Sequence, residues 1–190
     1  DANQQWVVTA YTLAFGSLLL LGGRIGDYVG RKKVLIYSLI GFAAASAFGG
    51  IANNQGELFA ARALQGVFGA ALAPAALAII SVTFTDPKER ARAFGVIGGI
   101  SAGGAAIGLI AGGILTQYFS WRWCLGVNLP ISIFAALLAA KFVHDSRAEG
   151  DRTYDIPGVI TATIGLFALV YGFSRAASHG WGNSFTLSLI

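Results

Sequence analysis

Six long apolar stretches, separated by short polar segments, run through the chain: Trp6–Gly23, Val34–Ala52, Leu58–Phe84, Phe94–Thr116, Cys124–Phe142 and Ile156–Ala176. A helix crossing a bilayer takes about 17–25 apolar residues, so the pattern predicts six spanning helices and an all-α integral membrane fold. The third stretch is long and is expected to tilt. A seventh starts near Ser184 and runs to the last residue, Ile190. The segment His144–Asp155 is the one extended polar linker, and it divides a five-helix block (1–143) from a shorter C-terminal part (156–190). No methionine occurs, and the final stretch is short for a span, so a fragment of a longer protein is expected.

Charge adds orientation. The segment between the first two stretches carries Arg24, Arg31, Lys32 and Lys33; that between the third and fourth carries Lys88, Arg90 and Arg92; and Lys141, Arg147 and Arg152 follow the fifth. The alternate segments contribute Arg122 alone, so ten basic residues stand against one. Basic residues mark cytoplasmic loops, which predicts that the first helix descends toward the cytoplasm and that another helix precedes it. Trp121, Trp123, Tyr118 and Trp181 then fall near the outer interface, as amphipathic rings do. Only 12% of residues are charged, about half the usual fraction for a soluble domain. The net charge of +4 is distributed among loops rather than along one face, which argues against nucleic-acid binding. Cys124 stands alone in an apolar run and is expected to be a buried, inert thiol. The sequence has no nucleophile–base pair, phosphate loop or metal-ligand cluster, and no enzyme activity, cofactor or metal is expected. His144 and His179 fall in loops and are expected to be solvated.

Four groups of residues go beyond generic membrane helices. Gly23, Arg24, Gly26, Asp27, Tyr28, Gly30, Arg31, Lys32 and Lys33 compose a very tight turn, with glycines for close approach or positive φ. Asp27 is expected just ahead of the next helix, accepting from its free N–H groups and pairing with the basic cluster. Arg62, Gln65, Gly66 and Gly69 recur at three- and four-residue spacing and share one helix face. An arginine about one turn inside an apolar stretch points to function; snorkelling to the interface, or pairing with Glu57, is the structural alternative. Gly95, Gly104, Gly108, Gly112 and Gly113 give a smooth stripe for close packing of another helix. Trp121-Arg122-Trp123, with Asn128 and Pro130 after it, joins the fifth and sixth expected helices.

These groups resemble signatures of the major facilitator superfamily. The turn is similar to that family's G-x-L-A-D-(R/K)-x-G-R-(R/K) loop at Gly23, Asp27, Gly30, Arg31 and Lys32, with Tyr28 replacing a basic residue. The resemblance implies a latch that holds two transporter halves together in the outward-open state. The Arg62 group is similar to the fourth-helix motif of proton-coupled members, which implies that Arg62, with Gln65 and Gly66, biases a carboxylate that carries protons. The glycine series resembles the antiporter motif of the fifth helix, with Leu109 in place of proline. The W-R-W-x4-N-x-P run, and the linker followed by Asp155-Ile156-Pro157-Gly158, resemble the drug:proton antiporters with fourteen helices. The resemblance therefore implies a partial helix bundle, from the second helix to the start of the eighth. Residues 1–143 would be an N-terminal bundle without its first helix, 144–155 a cytoplasmic linker, and 156–190 an extra central helix plus the start of the next.

The implied partners are a small-molecule substrate, protons, lipid and a C-terminal half of the same chain; the implied location is a bacterial inner membrane. No acidic residue falls within an apolar stretch, and in that subgroup the proton-carrying carboxylate is expected near the first helix. A facilitator-type carrier and a non-transporting membrane protein remain open from the residues alone.

Overall fold

The computed structural model describes residues 2–147 and 156–189. The described residues form eight helices and no strand: α1 (Ala2–Val29), α2 (Arg31–Gly50), α3 (Gln55–Thr83), α4 (Pro87–Tyr118), α5 (Trp121–Gly126), α6 (Asn128–Phe142), α7 (Ile156–His179) and α8 (Ser184–Leu189). Six spans, with α5 and α6 counted together, are long and apolar enough to cross a membrane. Asp155 and most of the linker, 148–155, lie outside the described residues.

Three helices, α3, α4 and α5, start ahead of the apolar stretches on side-chain caps. Asn54 accepts from Glu57 N, Asp86 from Lys88 N and Glu89 N, and Ser120 from Arg122 N. Each satisfies amides that a helix start leaves free. Glu57 is occupied at its own cap: its carboxylate accepts from Asn53 N at 2.8 Å and Asn54 Nδ2 at 2.7 Å. It is therefore not the partner of Arg62.

Over the expected stretch Cys124–Phe142, α5 and α6 meet at Val127, whose backbone stays helical (φ −59°, ψ −30°), so that Trp121–Phe142 forms one span. Pro130 has no N–H to offer the carbonyl four residues back, at Gly126, so the ladder lacks one bond there while the backbone stays helical. Pro74 does the same inside α3 and leaves the Ala70 carbonyl without its intrahelical donor. That carbonyl faces Gly22 of α1 so closely that any added Cβ would collide with it.

α3 is the centre of the bundle. α1 and α2 pack on it, α5 and α6 pack on α2, α7 lies against α1, and α4 touches α3 and α5. The contact faces are built from small residues: Ala43, Ala45, Ser46, Ala61, Gly66, Gly69, Ala70 and Ala75 are all buried. At Gly66 an added Cβ would stand 2.5 Å from the Tyr11 carbonyl oxygen. Large apolar side chains point outward instead, with Leu109 79% and Phe134 64% exposed. Small residues inside and large apolar ones outside suit hydrocarbon rather than water, since close backbone approach replaces hydrophobic burial as the force between helices.

The bundle has two distinguishable ends. At one, Arg31 N donates to Ser146 O at 2.9 Å and Lys32 Nζ to Ala140 O at 2.8 Å, tying the α1–α2 turn to the end of α6. At the other, Arg122 Nη2 donates to Ala52 O at 2.7 Å, tying the α5 start to the α2–α3 turn.

Candidate functional site

The α1–α2 turn is a single residue. Gly30 links the two helices at φ 118°, a region that side chains with a Cβ rarely occupy. Asp27 is not a cap of α2, as its place before that helix suggested, because α1 continues to Val29 and encloses it. A carboxylate in the last turn of a helix faces the negative end of the dipole. Arg31, one turn on, offsets this: its Nε and Nη2 both reach Asp27 Oδ1, at 3.1 and 2.8 Å. Gly23 packs against Pro74 of α3, 3.4 Å from where its Cβ would be. Lys32 closes the end of α6 through the Ala140 carbonyl. Gly23, Asp27, Gly30, Arg31 and Lys32 thus form one compact turn seated on α3 and α6.

Nothing in the hydrophobic pattern signals what docks on that turn. Residues 143–147 fold back over it, and the Asp145 carboxylate lies 2.7 Å from the position of a Cβ at Gly30. Only glycine leaves room for that carboxylate. Periodicity is silent about such a contact, because the segment is polar and has no regular structure.

A second cluster is buried among α1, α2 and α3. Arg62 Nε donates to Val7 O at 3.0 Å, and Nη1 to Gln65 Oε1 at 2.6 Å. The guanidinium also lies over the Tyr11 ring, 4.6 Å from its centroid, and Tyr11 stacks on Phe15. Gln65 is fully buried and passes its amide to Ser46 Oγ at 2.6 Å. Arg62 therefore points into protein rather than snorkelling. An arginine facing lipid is costly, up to about 2.5–3.5 kcal/mol at the helix centre, and these partners offset the cost at Arg62. Gly66 and Gly69 bring α1 close enough for this, with Gly66 against Tyr11 O and Ala14, and Gly69 against Phe15. Tyr11 and Ser46 escaped sequence reasoning. A tyrosine and a serine within apolar stretches are polar groups in need of partners, and that was the available signal.

The glycine series of α4 behaves differently from expectation. A Cβ added at Gly95, Gly104, Gly108, Gly112 or Gly113 meets nothing within 4 Å, and α4 buries none of its residues among the described ones. Among the described residues the stripe is smooth and open, with α4 at the bundle's edge and α3 and α5 as its neighbours. Cys124 also departs from expectation: it is half-buried at the α4–α5 contact, with Thr116 Oγ1 at 3.4 Å and the Gly112 carbonyl at 3.6 Å.

In the remaining group, Ser120 caps α5 and Arg122 spans from the Trp121 face, 4.8 Å from the ring, to the Ala52 carbonyl. Trp123 and Trp181 are each 58% exposed at their helix ends. Asn128 and Pro130 open α6, where the missing amide of a proline costs little. Among the described residues, no cluster of three or more potential ligands could hold a metal ion.

Residues 1–189 match the sequence model of the Major Facilitator Superfamily. The puromycin resistance protein pur8 of Streptomyces alboniger is 53% identical over 190 residues, covering 100% of this chain and 38% of that protein. The cephamycin export protein CmcT of Amycolatopsis lactamdurans is 40% identical over 185 residues, 96% of this chain and 38% of the relative. The multidrug transporter protein MdtP of Bacillus subtilis is 36% identical over 191 residues, 97% and 35% of the two. The chain thus spans a little over a third of the length of these relatives, whose family consists of transporters of small molecules rather than enzymes. Six membrane-length helices and bacterial relatives make it a multi-pass inner-membrane protein. The chain belongs to the major facilitator superfamily and forms a partial helix bundle of that fold.

Proposed function

We propose that the whole protein is a proton-coupled exporter of drugs or other amphipathic small molecules, working by alternating access and not by catalysis. The observation that carries this reading is the buried Arg62 cluster. A cation held inside the bundle by α1 and α3 is a group that favours the ionised form of a carboxylate brought near it. The names of the relatives, a puromycin resistance protein and a cephamycin export protein among them, support drugs as the substrate class.

Within this reading Gly23, Asp27, Gly30, Arg31 and Lys32 form the cytoplasmic latch, and Arg62, Gln65 and Gly66 couple transport to protons. The α4 series Gly95, Gly104, Gly108, Gly112 and Gly113 is the antiporter face. Trp121, Arg122, Trp123, Asn128 and Pro130 mark the fourteen-helix subgroup. Residues 1–143 belong to the N-terminal bundle, 144–155 to a cytoplasmic linker, and 156–190 to the extra central helices. The titrating carboxylate and the C-terminal half come from elsewhere in the whole protein, since two halves must rock about one cavity.

Inverted membrane vesicles bearing the full-length protein are the test. Energising them should load a cationic dye, and an uncoupler should release it. Dye uptake that ignores the uncoupler removes proton coupling, and no uptake for any of a panel of drugs removes export.

A further inference from the structure

We propose that Ser46 is a positioning residue for Arg62, acting through Gln65; the transport consequence rests on the exporter reading above. The three side chains form one directional chain of hydrogen bonds across three helices. Ser46 Oγ donates to the Phe42 carbonyl at 2.7 Å, which leaves its lone pairs for Gln65 Nε2 at 2.6 Å. With the amide nitrogen committed to Ser46, Gln65 Oε1 faces Arg62 Nη1, also at 2.6 Å. The opposite amide orientation would set an N–H of Gln65 against an N–H of Arg62; by accepting from Nε2, the serine holds the amide in the one arrangement in which the guanidinium is bound. Both Ser46 and Gln65 are fully buried, so water does not reach them to replace a lost partner.

The arrangement fixes one edge of the guanidinium. Nε is taken by Val7 O and one Nη1 proton by Gln65, while the face lies on Tyr11. Tyr11 is the titratable side chain in contact with it among the described residues. Where Arg62 points thus depends on α2, a helix it does not touch directly through these bonds.

Two measurements on the full-length protein test this. The first is a double-mutant cycle on Tm in detergent, with Ser46→Ala and Arg62→Gln, repeated in a Gln65→Leu background. The two losses should be less than additive with Gln65 present and additive without it. Additivity in both backgrounds overturns the link. The second is dye export by inverted vesicles as a function of pH, corrected for the amount of folded protein. Ser46→Ala should slow uncoupler-sensitive export by about three- to tenfold and displace its pH dependence, as loss of one buried hydrogen bond implies. Ser38→Ala, at another buried serine of α2, should do neither. An unchanged rate and pH profile for Ser46→Ala in a wild type that does transport overturns the role of Ser46 alone. A wild type without energised transport overturns the exporter reading, and the transport role with it, even where the Tm cycle shows coupling.

Discussion

At the scale of single residues, the informative positions are those where one atom more or less changes what the backbone can do. Gly30 is held at positive φ with the Asp145 carboxylate against it. Gly30→Ala should destabilise the full-length protein by about 1–3 kcal/mol from the positive-φ backbone alone, seen as a lower Tm in detergent. Displacement of Asp145 adds to that. Arg62 is informative through its donors. Lysine presents a point charge in place of a fork and does not span both the Val7 carbonyl and Gln65. Arg62→Lys should therefore cut uncoupler-sensitive export by about tenfold or more while the protein still inserts and folds, because bonds from charged groups contribute about 1.5–3 kcal/mol. Much of this was legible in the sequence. The spacing Arg62, Gln65, Gly66, Gly69 puts all four on one face, and all four lie on the inner face of α3. Tyr11, Ser46 and Asp145 were not legible, because their partners lie tens of residues away and only the packing of three helices brings them together.

Elements show where apolar length stops being a guide. The stretches give the number and order of spans correctly, since hydrocarbon thickness sets both. They miss the ends: α4, capped by Asp86, runs through Lys88, Arg90 and Arg92, and α1 runs through Arg24 and Asp27. Glycine stripes are ambiguous in the same way. Gly22 and Gly66 are filled by neighbours, whereas Gly104, Gly108 and Gly112 are open among the described residues, and nothing in their spacing separates the two cases. The α1–α3 contact is the tightest consequence. Gly22 meets the Ala70 carbonyl that Pro74 leaves without a donor. Gly22→Ala should lower Tm by the equivalent of about 1–3 kcal/mol, the usual cost of overpacking. A neutral result would mean that α1 and α3 part easily at this crossing.

For the whole molecule, the central claim is that six spans alternate so that the basic turns share one side. The structure brings the α1–α2 turn and the end of α6 together, and the α5 start to the α2–α3 turn. The proposed latch, coupling cluster and export direction all presuppose that arrangement. Thiol labelling of the full-length protein reads it directly. With Cys124 replaced by alanine, single cysteines are placed at Arg31, Arg90 and Asn53 and exposed to an impermeant maleimide in intact cells and in inverted vesicles. Asn53→Cys should label in cells, and Arg31→Cys and Arg90→Cys only in inverted vesicles. Labelling of Arg31→Cys and Arg90→Cys from opposite faces would contradict the topology.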